Sequence, residues 1–228
     1  MDTSHIALIS LCLNSSGFQT YQSDKPLTLG KLMVSIEGVN MSGLSKVMRF
    51  AGNEDSITLK SVEDSNKLII SFENVKLGKK TEFAMNLITL DREVLSISNK
   101  EHQAKLVTNA AEFTKICRDL YQVAETVKIE AVDDSVIFSV EGDMGTGTVA
   151  LYETLGEKPE DKTIIEVRER VNLSFALRYL NLFNKASSCT PAITLSLSDE
   201  APLVVDYTMD KLGSLKFYLA PKINDATE

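Results

Sequence analysis

The side chains best suited to acid–base or nucleophilic chemistry are two histidines, His5 and His102, and three cysteines, Cys12, Cys117 and Cys189. His5 stands beside Asp2 and Ser4, so a Ser/His/Asp set exists on paper. Triads are assembled in space from separate elements, however, and Asp2-Thr3-Ser4 reads as a turn ahead of a strand. The cysteines are widely spaced and lack a C-x-x-C pattern, which points neither to a disulfide framework nor to zinc. They are expected to be three small core residues held in a reducing compartment. No group of His, Cys and carboxylates has metal-ligand spacing. Gly142-Asp143-Met144-Gly145-Thr146-Gly147 is glycine-rich, but it joins two strand-like segments. A phosphate loop must open a helix, so a hairpin turn is expected instead. No enzymatic activity, catalytic residue, metal or cofactor is expected.

Charge placement is more informative. The stretch Met41–Phe50 carries Lys46 and Arg49 and no acid, and Ser174–Ala186 carries Arg178 and Lys185 and no acid. Asn109–Gln122 carries Lys115 and Arg118, balanced by Glu112 and Asp119. All three stretches read as helices. Phe113, Ile116, Cys117, Leu120 and Val123 recur on one helical face. Leu177, Leu180 and Phe183 repeat that spacing, with Ser174 as the expected N-cap. In a chain of net charge −8, two acid-free basic helices are a local exception. A solvated helix face would explain them; so would a basic lining turned toward phosphates.

The elements around these helices are short strands. Ile57–Leu59, Lys67–Phe72, Thr126–Ala131, Ser135–Val140 and Thr163–Val167 are rich in β-branched and aromatic residues and are separated by turn residues. With 43% hydrophobic residues in 228 and only 11 Gly and 5 Pro, the chain is neither disordered nor low-complexity. Its acidity argues against coating nucleic acid with the whole surface. No apolar run approaches the roughly 18 residues a membrane helix needs. Ile6–Leu13 follows Asp2 and no Lys or Arg, so no secretory signal and no membrane association are expected.

The elements repeat. Helix Met41–Phe50 precedes strands Ser56–Lys60, Lys67–Phe72 and Glu82–Leu87; helix Ser174–Ala186 precedes Ala192–Leu197, Leu203–Tyr207 and Leu215–Leu219. The first two strand pairs share an offset of 136 residues (192 − 56 and 203 − 67). The second copy has a strand near Ala104–Val107, a helix and two strands in front of it. The first begins at Ile6–Leu13, taken as the partner of Thr148–Tyr152. Between the copies, Asp91–Gln103 reads as an extended linker with spaced apolar residues.

Several segments carry a resemblance. Asp2–Ile6 (DTSHI), Ala51–Asp55 (AGNED), Phe113–Leu120 (FTKICRDL), Phe175–Lys185 (FALRYLNLFNK), Pro202–Tyr207 (PLVVDY) and Leu215–Ile223 (LKFYLAPKI) resemble the proliferating cell nuclear antigen family, the eukaryotic sliding DNA clamps. The resemblance implies an α+β sliding-clamp fold of two similar domains, each of antiparallel sheet backed by helices. The boundaries expected are 1–88 for an incomplete N-terminal domain, 89–103 for a connector and 104–228 for a C-terminal domain. It implies a nuclear homotrimeric ring that encircles double-stranded DNA without reading sequence and serves replication and repair as a processivity factor. Lys46, Arg49, Lys79, Arg118, Arg178 and Lys185 would face DNA. DNA polymerases, the clamp loader and other partners would dock through a Gln-x-x-aliphatic-x-x-aromatic-aromatic motif. Their pocket would draw on Met1, His5, Leu8, Leu95, Ile97, His102, Pro202, Tyr218, Ala220 and Pro221. The ring seam would pair the strand around Lys80–Leu87 with the strand around Thr163–Val171 of the next subunit, using Phe83, Met85, Ile165 and Val167.

Departures from the family pattern define further expectations. The opening strand-helix-strand-strand unit of the first copy is missing, Lys31–Gly38 looks inserted, and Asp133 replaces a lysine that accepts ubiquitin in many members. Two alternatives follow: a checkpoint-clamp paralogue, and a ring-incompetent interaction protein that keeps only the peptide pocket.

Overall fold

The computed structural model describes residues 6–22, 36–61, 65–90, 101–156 and 161–222. Met1, His5, Leu95 and Ile97, all expected at the peptide pocket, lie outside these residues. Along the chain, β1 (Ala7–Leu13) leads to β2 (Ile36–Gly38), α1 (Met41–Met48), β3 (Ser56–Ser61), β4 (Lys67–Asn74), β5 (Lys79–Asn86) and β6 (Ile88–Leu90). There follow β7 (Ala104–Asn109), α2 (Ala110–Tyr121), β8 (Thr126–Val132), β9 (Ser135–Gly142), β10 (Gly145–Tyr152), β11 (Ile164–Val167) and β12 (Val171–Ala176). The chain continues with α3 (Leu177–Phe183), β13 (Ala192–Leu197), β14 (Leu203–Met209) and β15 (Gly213–Leu219). The order α1-β3-β4-β5 recurs as α3-β13-β14-β15, as the repeat predicts.

The larger unit joins residues 6–22 to 101–222. It holds a six-stranded antiparallel sheet, β1-β15-β14-β13-β7-β11, and a four-stranded one, β10-β9-β8-β12. Strict alternation sets the inward faces: every second residue of β7 and β8 is buried. Helix α2 closes this core with Ala110, Phe113, Ile116, Cys117 and Leu120. It starts at Asn109, whose side chain accepts from the backbone N–H groups of Ala111 (2.8 Å) and Glu112 (3.1 Å). Phe113, Phe138, Phe175, Leu195 and Tyr207 are fully buried, each contributing about 1.5–3 kcal/mol by removal from water. The glycine-rich segment is a β9–β10 turn, with Gly145 at φ 128° and paired to Gly142.

The smaller unit lies within residues 23–98. Its sheets are β3-β4-β5 and β2-β6. Among the described residues Ile70 and Phe72 are its buried apolar side chains, and β3 is exposed along its length. Phe83 packs tilted against Phe50 (ring centroids 4.9 Å) and edge-on against Phe72 (6.2 Å).

Three expectations are corrected. Ser174 is not a helix cap. It lies in β12, opposite Lys128, and the burial of Phe175 against Val127 in the same ladder overrides the local capping signal. Helix α3 therefore begins at Leu177 after Ala176, which makes no side-chain cap, and passes into a 3-10 turn at Asn184–Ala186. Strand β1 does not pair with β10; it runs antiparallel to β15, from Ala7 opposite Leu219 to Leu13 opposite Gly213. Gly213, at φ 139°, permits this: a Cβ there would meet the Cys12 carbonyl oxygen at 1.9 Å. By its contacts strand β1 thus groups with the larger unit. Finally, only Cys117 is a core cysteine; Cys12 and Cys189 are exposed.

Candidate DNA-facing helices and docking surface

The expected DNA-facing residues all reach solvent. In the smaller unit, Lys46 and Arg49 follow one another at i, i+3 on and just after α1, and Lys79 opens β5. In the larger unit, burial of Leu177, Leu180 and Phe183 rotates Arg178, Leu182 and Lys185 into one outward stripe. Arg178 lies 4.8 Å over the Tyr179 ring and donates to its hydroxyl at 3.3 Å, which restrains an otherwise mobile guanidinium. Lys185 sits on the 3-10 turn, whose neighbour Asn184 accepts from the buried Tyr207 hydroxyl at 3.1 Å. Helices α2 and α3 pack together, with the Asn181 amide donating to the Cys117 carbonyl at 3.4 Å. Arg118 differs from the others: it pairs with Asp119 at 3.3 Å on α2, so part of its charge is already met.

Of the residues expected at the docking pocket, Leu8, Pro202, Tyr218, Ala220 and Pro221 lie on or beside β1, β14 and β15 of the six-stranded sheet. Register places Leu8 opposite Tyr218, and Tyr218 opposite Val204, in one row across β1, β15 and β14. Leu8 and Tyr218 are half-buried. Pro202 precedes β14 and is exposed, while Ala220 and Pro221 follow β15, held by the Ala220 N–H to the Ile6 carbonyl at 2.9 Å. Val204 was missed by the sequence reading, although PLVVDY contains it; only the strand register selects it from its neighbours.

His102 approaches this face with its Nδ1 buried and unpartnered. Desolvation first, and the charge of Lys216 second, hold its pKa below the ordinary 6.5. Its neighbour Gln103, also missed, pins the segment. The Gln103 amide donates to Glu169 (2.6 Å), its side-chain carbonyl accepts from the Asp199 N–H (2.7 Å), and its backbone pairs with Leu197 (3.0 Å) and Arg168 (2.8 Å). Because His102 protonates less readily folded than unfolded, stability is full above about pH 6.5 and declines as pH falls toward the folded pKa. Melting followed from pH 7.5 to 5.5 should show a drop in Tm that His102→Gln reduces. An unchanged pH slope in that variant would remove this assignment.

A family model of the proliferating cell nuclear antigen N-terminal domain matches residues 1–95, and one of the C-terminal domain matches residues 96–222. The chain belongs to the proliferating cell nuclear antigen family. It has that family's sliding-clamp fold, in two domains of antiparallel sheet with few helices. Proliferating cell nuclear antigens are non-enzymatic clamps of DNA replication and repair. No helix among the described residues is long and apolar enough to cross a membrane.

Other family positions are placed as follows. Phe83 and Met85 lie on β5, an edge strand, half-buried beneath α1. Ile165 is buried and Val167 packs on the core of the larger unit. The outer edge of β11 is already engaged: Thr163 exchanges both backbone bonds with Thr154 (3.0 and 3.3 Å), and the Ile165 N–H donates to Glu153 at 3.1 Å. Asp133 is exposed at the β8–β9 turn with φ 49°, a left-handed conformation that Asp tolerates better than most residues. Burial pushes the Cys117 thiol up to about 12, so at pH 8 a maleimide should label Cys12 and Cys189 and spare Cys117 until denaturant is added. Equal labelling of all three in the native protein would contradict the packing of α2.

Proposed function

We propose that this chain is a DNA polymerase processivity factor: a nuclear clamp subunit that closes a homotrimeric ring around duplex DNA and tethers replication and repair enzymes. The observation that carries the reading is the acid-free basic stripe of α3, Arg178 and Lys185, matched by Lys46 and Arg49 on α1, in a chain of net charge −8. Basic groups gathered without acids on these helices can meet phosphates of any sequence. Loose phosphate contact suits sliding, and topological linkage supplies persistence. Partners carrying the Gln-x-x-aliphatic-x-x-aromatic-aromatic motif, the clamp loader among them, dock on the row Leu8, Tyr218 and Val204 with Pro202, Ala220 and Pro221; Met1, His5, Leu95, Ile97 and His102 belong to the same expected pocket. One helical turn with apolar anchors fits such a surface. No cofactor enters this function.

The subunit seam in this reading uses the outer edge of β5, which pairs with no strand among the described residues, with Phe83 and Met85 behind it. The engaged outer edge of β11 favours β10, an edge strand of the four-stranded sheet, as its mate over the pairing through Ile165 and Val167. A second reading is an interaction protein that binds motif peptides without closing a ring. Loading onto nicked circular DNA decides between them. The clamp reading expects retention on the circle and release when it is cut. A strict monomer that still binds motif peptide would establish the second reading.

A further inference from the structure

Gln103 lies just ahead of β7, where three stretches of the larger unit meet. Its backbone N–H donates to Leu197, the last residue of β13 (3.0 Å), and its carbonyl accepts from the Arg168 N–H (2.8 Å) in the turn between β11 and β12. The side chain repeats both attachments. Its amide donates to Glu169 (2.6 Å) in that same turn, and its side-chain carbonyl accepts from the Asp199 N–H (2.7 Å) in the turn between β13 and β14. A Gln side chain has one donor group and one acceptor group to place, and both are engaged here. The bond to the Glu169 carboxylate is of the stronger, charge-assisted kind. The nearby Glu101 pairs with Arg168 at 2.5 Å and adds to the same attachment.

Two of the stretches joined in this way carry docking residues. His102 is the covalent neighbour of Gln103, and Pro202 stands three residues after Asp199, immediately before β14. The row Leu8, Tyr218 and Val204 continues through Ser196 on β13 to Lys105 on β7, three residues from His102. His102 also feels the charge of Lys216, and Lys216, two residues before Tyr218 on β15, shares its sheet face. The imidazole is half-buried, with Nδ1 turned inward.

We propose that Gln103 is a positioning residue for peptide docking, which fixes His102 and the Pro202 end of β14 in the arrangement that receives the peptide. This inference rests on the docking reading above and adds to it a residue that acts through its neighbours. A segment free to move must be ordered when a peptide binds, and each side chain immobilised at that moment lowers affinity. With Gln103 in place the ordering is complete once the chain has folded. Gln103 is only half-buried and its side-chain bonds reach solvent, so its loss leaves the apolar core intact.

The test is calorimetric titration of the full chain with a synthetic peptide carrying the Gln-x-x-aliphatic-x-x-aromatic-aromatic motif. Gln103→Ala should weaken binding roughly three- to tenfold, the scale of releasing one or two side chains. His102→Ala should weaken it as well, and the combined loss should fall short of the product of the two, because one residue acts partly through the other. The exchange Gln103→Glu with Glu169→Gln reverses donor and acceptor at unchanged net charge and keeps an oxygen for the Asp199 N–H. It should restore parental affinity to within about twofold. Gln103→Glu alone sets two carboxylates together and should bind at least as weakly as Gln103→Ala. Equal affinity of the parent and Gln103→Ala overturns the proposal. So does a loss that the exchange fails to restore, which would mark general damage to the fold, and so does a full product of losses with His102→Ala. A parent chain that binds no peptide would overturn the docking reading itself, a result distinct from these three.

Discussion

Arg178→Glu with Lys185→Glu is expected to lower loading onto primed circular DNA by roughly ten- to a hundredfold at about 0.1 M salt, the scale set by losing two phosphate contacts per subunit. Both side chains are exposed on the outward stripe of α3, so far-UV spectra and Tm should hold. The salt dependence is the sharper readout: the slope of log affinity against log salt should fall by about 0.9 for each contact removed. Arg118→Glu should do less, because Asp119 already engages that guanidinium at 3.3 Å. If the double variant stimulates DNA synthesis as well as the parent, the basic-lining assignment is wrong. Loss of binding with an unchanged salt slope would point to altered helix packing instead of lost phosphate contacts.

The second large effect is expected at the docking row. Tyr218→Ala removes the aromatic from the centre of the Leu8, Tyr218 and Val204 row. Truncating a central aromatic anchor costs about 2 kcal/mol or more, roughly a thirtyfold weaker affinity for a motif peptide. Leu8→Asp should weaken the peptide further by placing a carboxylate in an apolar contact. Calorimetric titration of the peptide measures both variants, while far-UV spectra and sedimenting mass should be unchanged. A peptide that binds Tyr218→Ala with parental affinity would move the docking site elsewhere.

What the sequence discloses and what it hides divides along the range of the interaction. Helix α2 is legible because its signals are local: Phe113, Ile116, Cys117 and Leu120 share a face, and Asn109 stands where a cap belongs. Ser174 is misread for the same reason, since a good capping residue three positions before Leu177 looks local, whereas the ladder to Lys128 and the burial of Phe175 are not. The partner of β1 is hidden because pairing across the chain leaves no mark in composition or spacing. Residue type misleads for the cysteines: small and apolar on average, two of the three nevertheless reach solvent at Cys12 and Cys189. In the candidate site, the basic residues of α1 and α3 were visible as acid-free runs. Gln103 was not visible, because its importance lies in partners at Glu169, Leu197 and Asp199, far from it in sequence.

The pairing of β1 with β15 has a consequence for how the protein is made. Leu13 and Gly213 are 200 residues apart (213 − 13), and Ala7 and Leu219 are 212 apart (219 − 7). The first described strand to leave the ribosome therefore waits for the last before its ladder can form. At about 5–20 residues per second, that is an interval of roughly 10–40 seconds in which an uncharged, apolar segment has no native mate. Residues 36–90 can fold in the meantime as an insertion between the two halves of the larger unit. The final closure bears the entropy of a very long loop, though this grows only as the logarithm of its length. Ala7–Leu13 is thus open to mispairing until β15 has been made, and a chaperone that shields it during synthesis would act on the step that completes this ladder.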